Sequence, residues 1–385
     1  MPELVLAHII ANRIVFLFCV CSYCCMITKH YPVRGRGAQS SDAPARLGLA
    51  AREDDGDWRD VHDLVDGPVE KLRTSVTEEH PKAIISFNKS PDVHFDRSIN
   101  AYRGCEHGCI YCFARPTHAF HDLSPGLDFE TKLFAKPQAA RLLLETLAKP
   151  NYRPAPIAMG TNTDPYQPIE QHYRITREIL EVCLEARHPL TITTKSDRIL
   201  RDLDLITELA RHGLVSVGIS VTSLDAKLSR LLEPRAASPA KRLGTLAVLA
   251  AAGVPCHISI SPVIPSITDC DIEAIVEQAA GAGVRAVSWI IVRLPYEVAP
   301  LFREWLQTHF PDRATKVMAT IQSIRGGRDN DPRFGTRMKP QGVWADLFRT
   351  RFEIVMRRHG MTRPDTRLDC SQFRRPSADG QLSLL

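Results

Sequence analysis

From about residue 83 to residue 297 the chain repeats one pattern: a short apolar, β-branched run, then a longer stretch with helical periodicity. "APIAMG" (155–160), "LTITTKS" (190–196), "LVSVGISVTS" (214–223), "PCHISISPVI" (255–264) and "RAVSWIIVRLP" (285–295) read as strands, and a further strand is expected near "HFDRSINAY" (94–102). Between them lie helical patterns. In 173–187, Ile175, Ile179, Val182 and Leu184 fall on roughly one face. The stretch 197–213 offers Asp197 as N-cap and Gly213 as stop, and 238–253 opens on Ser-Pro and ends at Gly253. Six evenly spaced strands with intervening helices imply a parallel sheet with right-handed crossovers. Six units are too few for a closed eightfold barrel. The fold class is therefore α/β, a partial (β/α)6 barrel open on one side, with its chemistry at the C-terminal strand ends.

The remainder divides around this core. Residues 1–82 read as an N-terminal extension, polar and broken from 29 to about 80, with little fixed structure expected. The barrel spans 83–297. A helical C-terminal region follows over 298–375, its longest helix within 342–360 with Trp344, Leu347, Phe348, Phe352 and Val355 inward, and 376–385 is a flexible tail. The net charge is +5, but residues 325–385 hold 13 Lys/Arg against 7 Asp/Glu, a surplus of six, so the rest is near neutral. A basic C-terminal part suits a polyanionic partner, and a solvated arginine-rich surface is the competing explanation. The uncharged run 14–28 has 15 residues, short of the roughly 20 that a membrane helix needs. It also lacks the charged start and cleavage site of a signal peptide. Translation from Met26, with residues 1–25 an upstream extension, is the preferred account, and no membrane partner is expected.

Eleven cysteines are unevenly placed. Cys19, Cys21, Cys24 and Cys25 crowd the N-terminus, and Cys183, Cys256, Cys270 and Cys370 are scattered. This is no secreted disulfide framework, and a cytoplasmic location follows as the expectation. The remaining three, Cys105, Cys109 and Cys112, stand as C-x3-C-x2-C in "RGCEHGCIYCFA". A structural zinc site takes four ligands, usually from two separated pairs, and no second pair follows Cys112. His107, His118 and His121 are near enough in sequence to complete such a site. Three thiolates on one loop suit an iron–sulfur cubane, whose fourth iron then lacks a protein ligand.

The motif, lying after a first strand with Tyr111 before the third cysteine, resembles the radical S-adenosylmethionine (SAM) superfamily. The resemblance implies that Cys105, Cys109 and Cys112 hold a 4Fe–4S cluster and that the open iron binds the amino and carboxylate groups of S-adenosylmethionine. Reductive cleavage then gives a 5′-deoxyadenosyl radical that takes hydrogen from a substrate. Tyr111 falls beside the cofactor. The partial (β/α)6 TIM-like barrel of that superfamily agrees with the architecture read from periodicity.

From about 94 to 295 the match extends to the spore photoproduct lyase subgroup, through "TTKS", "GISVTS", "LEPRAASPAKRL" and "ISPVIP". In that family a strand-three lysine and a strand-four serine hold the methionyl carboxylate, which implies those roles for Lys195 and Ser220. A surface lysine and a core serine are the plain structural alternatives. In "MGTNTDPYQPIE", Thr163 matches a hydroxyl near the cofactor amine, Asp164 also matches, and Asn162, Tyr166, Gln167 and Glu170 add polar groups. The family's hydrogen-returning cysteine is replaced by Thr161, whose O–H bond is too strong for that task. Cys256 is the candidate substitute. Glu233, Arg235 and Arg242 either orient the cofactor or pair with one another.

The resemblance implies a lyase-like DNA-repair enzyme with DNA or RNA as substrate and flavodoxin or ferredoxin as electron donor. The closing "QLSLL" resembles peptides that dock on the DNA sliding clamp, through Gln381, Leu382, Leu384 and Leu385. The alternatives are the same radical chemistry on a substrate other than nucleic acid, and a non-catalytic iron–sulfur protein that binds DNA.

Overall fold

The computed structural model describes residues 35–42, 44, 46, 72–365 and 367–376. The proposed start at Met26, the four early cysteines and the tail Gln381–Leu385 lie outside the described residues. Among the described residues no helix is long and apolar enough to cross a membrane.

Ten strands form two sheets. They are β1 (Ser75–Glu78), β2 (Ile85–Phe87), β3 (Arg97–Ile99), β4 (Tyr102–Arg103), β5 (Lys132–Ala135), β6 (Ile157–Met159), β7 (Leu190–Thr194), β8 (Val215–Ser220), β9 (Cys256–Val263) and β10 (Val287–Ile291). The larger sheet has the order β10-β9-β8-β7-β6-β3-β2. From β3 to β10 every neighbouring pair is parallel. Six parallel strands thus stand in chain order, the arrangement of a partial (β/α)6 barrel. The seventh, β2, pairs antiparallel with β3 and caps one edge.

The sheet has two chemically different faces, because side chains alternate along each strand. Val215, Val217, Ile219, Ile258 and Ile260 are fully buried and share one core with Ile206, Leu209, Leu246, Leu249 and Ile275 of the flanking helices. The alternate positions carry small polar groups. Register sets Ser98 beside Ala158, Ala158 beside Thr191, and Thr191 beside Ser216. Further along, Ser220 stands beside Ser259, and Ser259 beside Ser288. A closed barrel would fill this inner face with branched apolar side chains. The six-stranded sheet presents hydroxyls there instead.

Helix positions match the periodicity, with local differences. The turn after β7 is capped by Ser196, whose Oγ accepts from Arg198 N, so the cap sits one residue before Asp197. In the helix Ile175–Glu185 the buried stripe is Ile175, Thr176, Ile179, Leu180 and Cys183, with Val182 and Leu184 only flanking it. In Val343–Arg358, Phe348, Phe352 and Val355 are buried but Leu347 is 57% exposed. The helix Pro239–Ala251 opens as expected, with Ser238 Oγ accepting from Lys241 N at 3.4 Å.

The largest departure lies in the segment expected to be a flexible arm. Residues 36–40 are buried, and Gly37 N and Ala38 N donate to the Glu130 carboxylate at 3.0 and 2.8 Å. The small residues that read as disorder are what permit this packing: a Cβ on Gly37 would come within 1.8 Å of Gly108 O. Farther on, β1 pairs with β5, and β5 with β4, in a three-stranded sheet beside the cysteine loop.

At the end of β6 the chain turns through Gly160 at φ +86°, where a Cβ would meet Thr193 O at 2.0 Å. Gly213 has φ +65° but open space around it. Gly160→Ala is therefore expected to cost more than ~2 kcal/mol and Gly213→Ala only about 1 kcal/mol. Denaturant titration of both variants checks this, and equal losses would refute the packing at the β6 turn.

Candidate active site

The three cysteines lie on consecutive turns directly after β4. Gly108 N donates to Cys105 O at 3.3 Å, Cys112 N to Cys109 O at 3.2 Å and Arg115 N to Cys112 O at 3.2 Å. Cys105 and Cys109 are buried and Cys112 partly so, all with free thiols. Burial pushes every one of the three thiols up. The Asp164 charge adds to this at Cys105 and the Glu233 charge at Cys109. Lys195 opposes it at Cys109 and Cys112. The loop thus gathers three thiols whose ionisation burial opposes and which a cationic metal core would favour as thiolates.

Arg115 fixes the loop backbone. It is fully buried and uses all five N–H donors. Nε reaches Cys109 O at 2.9 Å, and Nη2 reaches Gly108 O at 3.1 Å and Glu130 Oε1 at 2.6 Å. Nη1 reaches Pro125 O and Gly126 O, both at 3.0 Å. Gln167 braces the loop from the other side, accepting from Glu106 N at 2.9 Å and donating to Gly104 O at 3.2 Å.

The histidines do not complete a metal site. His118 Nε2 meets Lys132 O at 2.8 Å, and burial lowers its pKa to about 4. His121 lies against Phe134, and His107 Nδ1 sits 3.3 Å from Asp164. Among the described residues no three His, Cys, Asp or Glu side chains converge on a single ion. A cubane asks for one thiolate at each of three separate corners.

The strand ends bring the other predicted residues to this loop. Lys195 follows β7, with Nζ 6.0 Å from the Tyr111 ring centre and 3.5 Å from Ser261 O. It has no ion-pair partner among the described residues. Ser220 ends β8, buried, and its backbone oxygen accepts from Arg242 at 3.0 Å while its hydroxyl has no partner among the described residues. Thr163 Oγ1 donates to Tyr102 O at 3.1 Å, leaving its lone pairs to accept. The Tyr111 hydroxyl is committed to Glu233 and lies 3.4 Å from Thr222 Oγ1, so the ring is what it offers a ligand.

Glu233 pairs with Arg242 in the interior. Burial raises its pKa, but the Arg242 and Lys195 charges and the Tyr111 hydrogen bond outweigh this and hold it at about 2. Arg235 turns away to Glu106 at 3.0 Å. Glu170 serves the frame, bonded to Tyr102, Arg201 and Thr176 N. Cys256 begins β9, at the end of the sheet opposite the cysteine loop, and is removed as a hydrogen donor. Cys183 is core.

The family model described as "Radical SAM superfamily" matches residues 99–279. An uncharacterized protein of Mycobacterium tuberculosis is 36% identical over 236 residues, covering 60% of this chain and 69% of that protein. The chain belongs to the radical SAM superfamily. An uncharacterized protein of Methanocaldococcus jannaschii is 31% identical over 173 residues, 45% of this chain and 62% of that one. Among solved structures, spore photoproduct lyase complexed with dinucleoside spore photoproduct superposes with a TM-score of 0.50 at 14% identity, covering 74% of this chain and 78% of that chain. That likeness is one of fold.

Radical SAM proteins use a 4Fe–4S cluster and S-adenosylmethionine. The residues present fit both groups: three free thiols on a braced loop, two of them buried and one partly so, a cation with no carboxylate within ion-pair distance among the described residues, and an unbonded hydroxyl. Arg115, Glu130 and Asn100 escape sequence reasoning. Asn100 Oδ1 accepts from Asn162 N at 3.0 Å and lies 3.3 Å from Thr161 Oγ1, holding the β6 loop. Nothing local marks these three, since each acts through a partner distant in sequence.

Asp164 joins the loop to the strands. Its oxygens accept from Thr194 Oγ1 at 2.6 Å, Tyr166 N at 2.9 Å and Lys195 N at 2.8 Å. Burial raises its pKa, and His107 with these donors more than reverses that, to about 2. A depressed carboxyl stabilises the fold above its unfolded pKa, here by about 2 kcal/mol, and that contribution is lost as pH falls from about 4 through about 2. Asp164→Asn should lower the urea midpoint at pH 7 and flatten its decline between about pH 4 and pH 2. An unchanged pH profile would contradict the assignment.

Proposed function

We propose that this radical SAM protein is an enzyme that cleaves S-adenosylmethionine reductively at a cluster held by Cys105, Cys109 and Cys112, and acts on nucleic acid. The observation that carries the cofactor reading is Lys195, an unpaired ammonium beside Tyr111 whose charge acts on two of the three thiols. When bound, the cluster supplies one electron to S-adenosylmethionine and so a radical that takes hydrogen from substrate. The chain's own residues bind and orient. Lys195 and Ser220 take the methionyl carboxylate, a charge-assisted contact in a partly dry site. Thr163 accepts from the amino group. Glu233, held ionised by Arg242, keeps the Tyr111 hydroxyl in place. An external donor such as flavodoxin or ferredoxin completes the electron supply.

Three observations support a nucleic-acid substrate. The barrel's inner face is polar and hydroxyl-lined, the C-terminal region carries a surplus of six positive charges, and the fold is shared with a lyase complexed with a dinucleoside lesion. The thiol donor of spore photoproduct repair does not carry over. Thr161 stands at its position, bonded to Asn100, and Cys256 lies at the far end of the sheet. The reaction is therefore lyase-like in its machinery, with a different route for returning hydrogen.

Anaerobic reconstitution tests the cluster. Cys105→Ala, Cys109→Ala and Cys112→Ala should each abolish its visible absorbance, and Cys270→Ala should leave it intact. Equal iron in all four variants would refute the ligand set. Lys195→Ala should keep its iron while weakening S-adenosylmethionine binding by about tenfold or more; unchanged affinity removes Lys195 from the site. Incubation of the reduced holoenzyme with damaged DNA and RNA should raise 5′-deoxyadenosine release above the substrate-free rate. Release stimulated only by non-nucleic-acid metabolites would overturn the substrate class, and none at all would favour a binding protein.

A further inference from the structure

Residues 325–339 span the open side of the barrel, and the cofactor site leaves them without a role. One end is tied to β10: Arg325 Nη2 donates to Val292 O at 2.7 Å and Ile291 O at 3.3 Å. The other end is tied to the loop between β2 and β3. Gly335 N and Arg337 Nε donate to Asp92 at 2.7 and 2.6 Å, and Arg337 Nη2 donates to Ser90 Oγ at 2.5 Å. The segment joins the two sheet edges that do not pair with each other.

Arg293 packs beneath it. This residue follows β10 by two positions, at the same end of the parallel sheet as Lys195 and Ser220. Its Nη1 meets only Met338 Sδ, at 3.4 Å, and its Nε is buried without a partner. Among the described residues no carboxylate lies within ion-pair distance of it. The surrounding charges are unfavourable. The Arg337 and Arg325 guanidiniums both act on it, Asp92 is already held by Arg337, and Asp331 by Arg333. Arg293, Arg325, Arg333 and Arg337 are thus set against Asp92 and Asp331, leaving two positive charges in excess. A guanidinium does not shed its proton, and a thioether is a weak acceptor. Half removed from water beside like charges, Arg293 is costly to hold until an anion arrives.

An aromatic ring lies on the same segment, against Arg337. Phe334 is 62% exposed, with the Arg337 guanidinium 4.5 Å from its ring centre. A cationic groove with an exposed ring is how unpaired nucleic acid is held, the phosphate on the cation and the base on the ring. We propose that Arg293, with the Arg337 charge acting beside it and Phe334 packed on Arg337, binds a backbone phosphate of an unpaired nucleic-acid strand laid across the open side of the barrel. This rests on the nucleic-acid reading above and adds a strand-binding site to it.

The test is fluorescence anisotropy of the reconstituted full chain with a fluorescein-labelled oligothymidine of about twelve nucleotides, over a range of salt. Arg293→Gln should weaken binding by about tenfold or more and reduce the slope of log affinity against log salt by about 0.7. Arg293→Lys, keeping the charge, should retain most of the slope. Phe334→Ala, which alters only an exposed ring, should weaken binding without changing the slope, and it carries the test if Arg293→Gln lowers the melting temperature. Wild type and all variants binding alike would overturn the site and leave the nucleic-acid reading intact. Wild type ignoring the oligonucleotide while inorganic pyrophosphate raises its melting temperature, but not that of Arg293→Gln, would overturn the nucleic-acid reading and keep Arg293 as an anion site. Neither ligand binding would overturn both.

Discussion

The cysteine loop depends on one buried guanidinium. Arg115 is wholly removed from water, and each of its five donors ends on a loop carbonyl or on Glu130. Glu130 in turn accepts from the backbone of Gly37 and Ala38. Burying such a pair adds little net stability, because desolvation consumes most of the attraction. What it adds is geometry. The carbonyls of Gly108 and Cys109 are pinned to the same group, so thiols on successive turns cannot drift independently. An N-terminal segment and the short helix Leu127–Thr131 are drawn onto the loop by the same carboxylate.

The sheet supplies the opposite wall, and its asymmetry decides what that wall can do. Its outer face is branched and apolar, and gains its stability against helices. Its inner face carries serine, threonine and glycine where a closed barrel would pack layers of valine and isoleucine. Small polar side chains leave volume and offer hydrogen bonds without filling the space. The same strand that anchors the core through Val215, Val217 and Ile219 therefore delivers Ser220 to the cofactor end. Lys195 reaches that end because β7 and β8 are parallel and adjacent, with Thr194 beside Ile219.

The alternation of strands and helices was legible because period-2 and period-3.6 patterns are local. The three cysteines were legible because they sit within eight positions. Lys195 and Ser220 are singled out through the resemblance of "TTKS" and "GISVTS" to the lyase family, and they stand just after β7 and at the end of β8. What escaped was long-range. Arg115 looks like an ordinary arginine after "CFA", and only the fold brings Glu130 and the 37–38 backbone to it. The 36–40 segment was misread because glycine and serine signal flexibility in isolation, yet here they allow a close approach to Gly108. Leu347 followed the helical period but faces solvent. Cys256 begins its strand as the sequence indicates, and that placement, at the end away from the cysteine loop, removes it as a hydrogen donor.

A cubane gripped by Cys105, Cys109 and Cys112 would leave its fourth iron for S-adenosylmethionine. Mössbauer spectroscopy of anaerobically reconstituted, iron-57-labelled protein, before and after adding S-adenosylmethionine, addresses it most directly. A 4Fe–4S spectrum is expected in which one iron changes its parameters on cofactor addition while three do not. A protein that retains zinc in place of iron, or a cluster whose four sites are equivalent and indifferent to the cofactor, would contradict it.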